Sequence, residues 1–177
     1  AGSDNTSVDY AYEDKNCILG ASDIMLDTML LSLPAQQILA GAGNSAQTLL
    51  DSLDAMEEMI DLFYQHKGLT EKETDGSNAI SVKDRYPSMH LNIRYQRMFA
   101  GAFMYASGNH VGIEWNETRG MASGGSVQAD ADGRYQSGHY FGWGIAHEIG
   151  HCINQGAYAV AAVTNNYYAV LAQAQDN

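Results

Sequence analysis

Residues 147–151 read His-Glu-Ile-Gly-His, and no other stretch restricts the fold so tightly. On an α-helix, positions four apart lie one above the other on the same face. A helix through this stretch therefore presents the imidazoles of His147 and His151 to a single ion. Glu148 sits one residue round from the first histidine, where it can reach a water polarised by that ion without ligating it. The ion lowers the water pKa, and the carboxylate takes the proton and passes it to a leaving amine. Ile149 and Gly150, one apolar and one small, let such a helix pack closely behind the site. The pattern predicts a zinc-dependent hydrolase helix, yet a catalytic zinc takes three protein ligands and the motif contains only two.

Two continuations of the motif can be tested directly. One has Gly three residues and His six residues after the second ligand, where this chain has Asn154 and Ala157, so that subclass is excluded. The other takes a Glu from the next helix. After His151 the only acidic residue is Asp176, next to the last position, so the expected Glu is missing.

The rest of the chain sets the frame. Its 177 residues suffice for one domain with a core, and 45% hydrophobic residues exclude a disordered chain. We expect residues 1–177 to form one zincin-like unit, excised from or short of a longer multidomain protein. No apolar run approaches the roughly 18 residues that span a bilayer, so no membrane insertion is expected. The first ten residues lack the basic start and apolar run of a signal peptide. Twenty-one acidic against nine basic residues give a net charge of -12, which disfavours nucleic acid and anionic membranes as partners. Cys17 and Cys152 form no CxxC pair and read as free, buried small hydrophobes.

Residues 17–33 are apolar up to Pro34, without a periodicity that separates strand from helix. Residues 45–66 are an amphipathic helix: Ser45 or Asn44 can cap it, Leu49, Leu50, Leu53, Met56, Ile60 and Phe63 form its stripe, and Gly68 follows as a stop. Residues 69–87 read as a loop. Met89, Leu91, Ile93 and Tyr95 then alternate with His90, Asn92, Arg94 and Gln96, a strand pattern. A second short strand is expected at Val111, Ile113 and Trp115, and a loop over 119–138. From about Tyr140 the chain returns to helix, with a break near Gly156 and a second helix to the end. The class is α+β: a zincin-like domain with a small mixed sheet and the HExxH helix followed by a second helix. Lone His66, His90, His110 and His139 read as surface or packed histidines.

The string HEIGHCINQG followed by AVTNNYYAV resembles the enhancin-like zinc peptidases, the group of viral enhancins and bacterial mucin-degrading peptidases. Gly150, Gln155 and Val163-Thr164-Asn165-Asn166 match that family's pattern, as does the lead-in Tyr140-Phe141-Gly142-Trp143-Gly144. The stretch from Met104 to His110 is a looser match. The likeness is specific over about forty residues and implies a gluzincin fold with zinc as cofactor. It places the third, ligating Glu at Ala162, eleven residues after His151. Alanine cannot ligate a metal, and natural loss and deliberate replacement are both compatible with the surrounding match. Four residues beyond Ala162, on the same helical face, Asn166 can hydrogen-bond the outer nitrogen of a ligating histidine; an ordinary buried Asn satisfying backbone groups is the alternative.

The resemblance implies an enzyme secreted or held at the bacterial cell surface, an endopeptidase cutting O-glycosylated proteins such as mucins, with His147 and His151 on zinc and Glu148 as general base and acid. Substrate would align along an edge strand near residues 109–116, with His110 and Trp143 as candidate contacts. With Ala162 in place, activity is expected to be weak or absent. The alternatives are a glycoprotein-binding module on an inactive zincin scaffold, for which the intact Glu148 has no use, and a general gluzincin protease indifferent to glycans.

Overall fold

The computed structural model describes residues 20–70, 84–123, 142–154 and 156–175. The undecided apolar stretch is a hairpin, β1 (Ala21–Met25) and β2 (Met29–Pro34). Glu57 clamps its turn, accepting from the Thr28 amide at 3.0 Å and the Thr28 hydroxyl at 2.7 Å. Pro34 leads directly into α1 (Ala35–Ala42), a helix not anticipated from the sequence. Gly43 at φ 60° ends it, and α2 (Ala46–His66) follows. Ser45 caps α2 as expected, its hydroxyl accepting from the Thr48 amide at 3.2 Å.

These two helices form the crossover to β3 (Leu91–Tyr95), which pairs parallel to β2; a parallel pair needs a connection of this length. Next come β4 (Met104–Ser107) and β5 (His110–Ile113), an antiparallel hairpin. Gly108, at φ 59°, takes the first central position of its two-residue turn, where a positive φ suits glycine. The sheet order is β1-β2-β3-β5-β4, with β2, β3 and β5 parallel and β1 and β4 antiparallel at the edges. A short helix α3 (Trp115–Thr118) runs into a 3-10 turn at Arg119–Ala122, then α4 (Gly142–Ile153) and α5 (Asn166–Gln175) complete the described chain.

One face of the sheet carries the core. Met29, Leu31, Leu33, Leu91, Ile93, Val111 and Ile113 are buried against Ile38, Met56, Ile60, Phe63, Ile145 and Ile149 from the helices. This is an α+β domain with a small mixed sheet, as the patterning implied. Lys67, just past α2, donates its ammonium to the Ile153 carbonyl at the end of α4, and burial pulls its pKa below the ordinary value.

Several expectations need correction. Leu50 is 49% exposed, because the buried stripe runs through Leu53, Met56, Ile60 and Phe63 and position 50 lies beside it. Met89 and Tyr95 are exposed, so only Leu91 and Ile93 of the alternating set face the core. Trp115 opens α3 and is not a strand residue. The edge is not formed by residues 109–116: β4 pairs with β5 and covers it, so among the described residues the edge strand is β4 itself. In the expected loop 69–87, Thr70 is bridged to Arg85 and residues 71–83 lie outside the described residues, as do Cys17, His139 and most of the 119–138 loop, of which only the 3-10 turn and Ser123 are described.

Candidate metal centre

α4 buries Ile145, Ala146, Ile149, Gly150 and Ile153, which leaves His147 and Glu148 half-buried and His151 exposed on its other side. The two imidazole rings stand 5.0 Å apart, centre to centre, at 84°. Trp143, one turn before His147 on the same face, is 40% exposed.

The ring of His147 is held. Its Nδ1 lies 2.6 Å from Asn166 Oδ1, and an amide oxygen can only accept, so Nδ1 carries the proton. That leaves the Nε2 lone pair free for a metal. The Asn166 amide cannot flip, because its Nδ2 donates to the Ala162 carbonyl at 2.9 Å. Asn165 acts on the same histidine from the backbone side, its Nδ2 donating to the His147 carbonyl at 3.2 Å.

Ala162 is not on a helix. It is exposed, with φ 58°, in a turned segment closed by hydrogen bonds from Val163 and Thr164 to the Val160 carbonyl. The second helix starts only at Asn166. Ala162 and Asn166 therefore meet through a side-chain-to-carbonyl bond, not by sharing a helical face.

A cleft of about 470 Å³ lies between the β4 edge and α4, lined by Met104, Tyr105, Ala106, Ser107, Gly108, Glu148, His151 and Cys152. Burial, then the Glu148 charge, push the Cys152 thiol up to about 11; it is half-buried and free, and donates to the His110 carbonyl at 3.6 Å. His110 itself is not brought to this cleft. Its Nε2 meets Arg94 Nη2 at 3.0 Å and the Tyr105 hydroxyl at 3.1 Å, and burial, then Arg94, hold its pKa below the usual value. Sequence reasoning missed Asn165 and the β4 edge; the signal for Asn165 was Gly150, a glycine inside a helix facing a close neighbour.

The donor set can be tested against zinc. Two imidazoles on one helix face, one of them with its tautomer set by Asn166, fit two ligand positions. The third does not fit: among the described residues no group of three His, Cys, Asp or Glu side chains is placed to hold a metal.

No family profile matches the chain, and no curated protein is similar to it. Solved structures are. The chain aligns with the M60 catalytic domain of ZmpC from Clostridium perfringens, a structure in complex with the sialyl T antigen, at 18% identity and a TM-score of 0.65, over 88% of this chain and 26% of that one. A metallopeptidase from Bacteroides thetaiotaomicron aligns at 17% and 0.57, over 94% and 24%. A functionally unknown conserved protein from Bacillus anthracis aligns at 16% and 0.64, over 93% and 31%. At these identities the likeness is one of fold. The chain has the fold of the M60 metallopeptidase catalytic domains, the group its motif resembles, and spans about a quarter of the length of the two metallopeptidases.

Proposed function

We propose that this chain is the catalytic core of an enhancin-like zinc endopeptidase acting outside the cell on O-glycosylated proteins such as mucins, with its third ligand position disabled. The hydrogen-bond chain from the Ala162 carbonyl through the Asn166 amide to the His147 ring carries this reading. It puts the position where the resemblance expects a ligating Glu two hydrogen bonds from the first histidine.

In a completed site zinc would supply Lewis acidity, with His147 and His151 as the residues that would hold it and Asn166 keeping the His147 proton on Nδ1. Glu148 would take a proton from an attacking water and return it to the leaving amine. The open edge of β4 aligns an extended substrate by strand addition beside Glu148 and His151, and Trp143 offers an exposed aromatic surface in line with the two histidines. The His110 ring meets Arg94 and the cleft-lining Tyr105, so any contact it makes with substrate would run beside that pair. With two ligands, zinc is held weakly and the chain as it stands cuts slowly or not at all.

A second reading, a glycoprotein-binding module, is favoured by Ala162 alone. The test is cleavage of an O-glycosylated mucin and of its deglycosylated form by the Ala162→Glu variant. Cutting of the glycosylated form alone supports the proposal. Equal cutting makes the chain a general protease core, and chelator-resistant mucin binding without cutting makes it a binding module.

A further inference from the structure

Asn165 breaks two local rules at once. It immediately precedes α5, where an Asn side-chain oxygen ordinarily accepts from a free amide of the first turn. Here that oxygen is buried with no partner among the described residues, and the residue is fully buried. Such orphaned acceptors are uncommon and costly. The amide end explains the choice: Nδ2 reaches across to the His147 carbonyl. A flipped amide would set oxygen against oxygen, so the orientation is forced.

The approach is possible only because residue 150 is glycine. A Cβ there would lie 2.9 Å from Asn165 Cβ, 2.9 Å from its carbonyl oxygen and 3.0 Å from its Cα. Consecutive asparagines thus grip one histidine at two points, Asn165 at its backbone and Asn166 at its ring.

We propose that Asn165 is a positioning residue: by tying the start of α5 to the His147 carbonyl, through the clearance at Gly150, it seats Asn166 on the His147 ring and so selects the Nδ1–H tautomer before any metal arrives. This deepens the metallopeptidase reading of the same site but depends only on the geometry of the metal-free chain. Local bonding rules are broken where a site needs a particular arrangement, and Asn165 forgoes its own cap to provide one.

The test uses histidine-labelled, metal-free protein and reads the His147 tautomer from ring nitrogen chemical shifts and couplings. The unmodified chain is expected to hold His147 in the Nδ1–H form, with a slowly exchanging Asn165 side-chain amide. In Asn165→Ser the tautomer ratio should shift toward the other form by about fivefold, the ratio one net hydrogen bond is worth. Serine is too short to reach His147 but can cap α5, which keeps this variant folded. Asn165→Ala should shift the ratio in the same direction. Ile38→Val, a core change in α1 that lowers stability without touching the site, should leave it unmoved. An unchanged ratio in a folded Asn165 variant overturns the proposal, as does a mixed tautomer or a fast-exchanging Asn165 amide in the unmodified chain. The readout involves neither zinc nor substrate, so failure to cleave mucin leaves this result standing, and the reverse.

Discussion

Replacing Gly150 with alanine sets two effects of opposite sign against each other. In an unobstructed helix interior the change stabilises by about 0.5–1 kcal/mol, through reduced backbone freedom in the unfolded chain. At Gly150 the new methyl would stand 2.9–3.0 Å from three atoms of Asn165, two of them main-chain, so no side-chain rotation relieves it. Moving the start of α5 away by several tenths of an ångström is overpacking of the kind that costs roughly 1–3 kcal/mol. The Asn165 bond to the His147 carbonyl, worth about 1 kcal/mol, is lost as well. The balance is a destabilisation of about 1–3 kcal/mol, seen as a lower urea midpoint at constant m-value. Gly120→Ala, where a methyl meets nothing within 4 Å, is the matched control and should be neutral or slightly stabilising. If Gly150→Ala behaves like the control, the close packing of α4 on residue 165 is wrong, and the positioning argument falls with it.

Glu57→Ala removes both acceptors of the Thr28 turn and should cost about 1.5–3 kcal/mol, the scale of hydrogen bonds to a charged group; a double-mutant cycle with Thr28→Ala checks that the loss belongs to this pair. Ser45→Ala should lower stability by about 1 kcal/mol through loss of the α2 cap, read from the thermal midpoint. Tyr64, buried at the end of α2, has its pKa pushed up to about 12, first by burial and then by the charges of Cys152 and its neighbours. Between an unfolded value near 10 and that folded value, the unfolded chain binds fewer protons, so this tyrosine makes stability fall as pH rises through that window. Tyr64→Phe should flatten the alkaline slope of the urea midpoint, and an unchanged slope contradicts the assignment.

The amphipathic helix was legible because a three-and-four stripe over 21 residues, with Ser45 before it and Gly68 after it, admits one reading. The HExxH helix was legible for the same reason. Residues 20–34 were not, since a hairpin strand with one face on the core and a buried helix both read as an apolar run. α1 escaped notice because Ala35–Ala42 is short and carries no capping side chain. The edge was misassigned because Met104, Tyr105 and Ala106 are all half-buried and Ser107 is exposed, a pattern with no inward-outward alternation to mark a strand. The motif placed two ligands and a base, but the partnership of Asn165 and Asn166 with His147 depends on how α5 meets α4. The position of Asn166 four residues after Ala162 suggested a bond to a ligating histidine, which the structure makes to the His147 ring; the bond from Asn165 to the His147 carbonyl had only Gly150 as its trace.

We propose that Ala162 occupies the place of a missing third ligand. It is tested most directly by titrating zinc into the metal-free chain and its Ala162→Glu variant against a competing chelator. One zinc per chain is expected in the variant, bound at least about 100-fold more tightly than in the unmodified chain, since loss of an outer-shell partner alone costs about 10–100-fold and a direct ligand contributes more, and abolished again by His147→Ala. Equal affinity in the two chains would contradict it, placing the third ligand elsewhere or removing zinc from the account altogether.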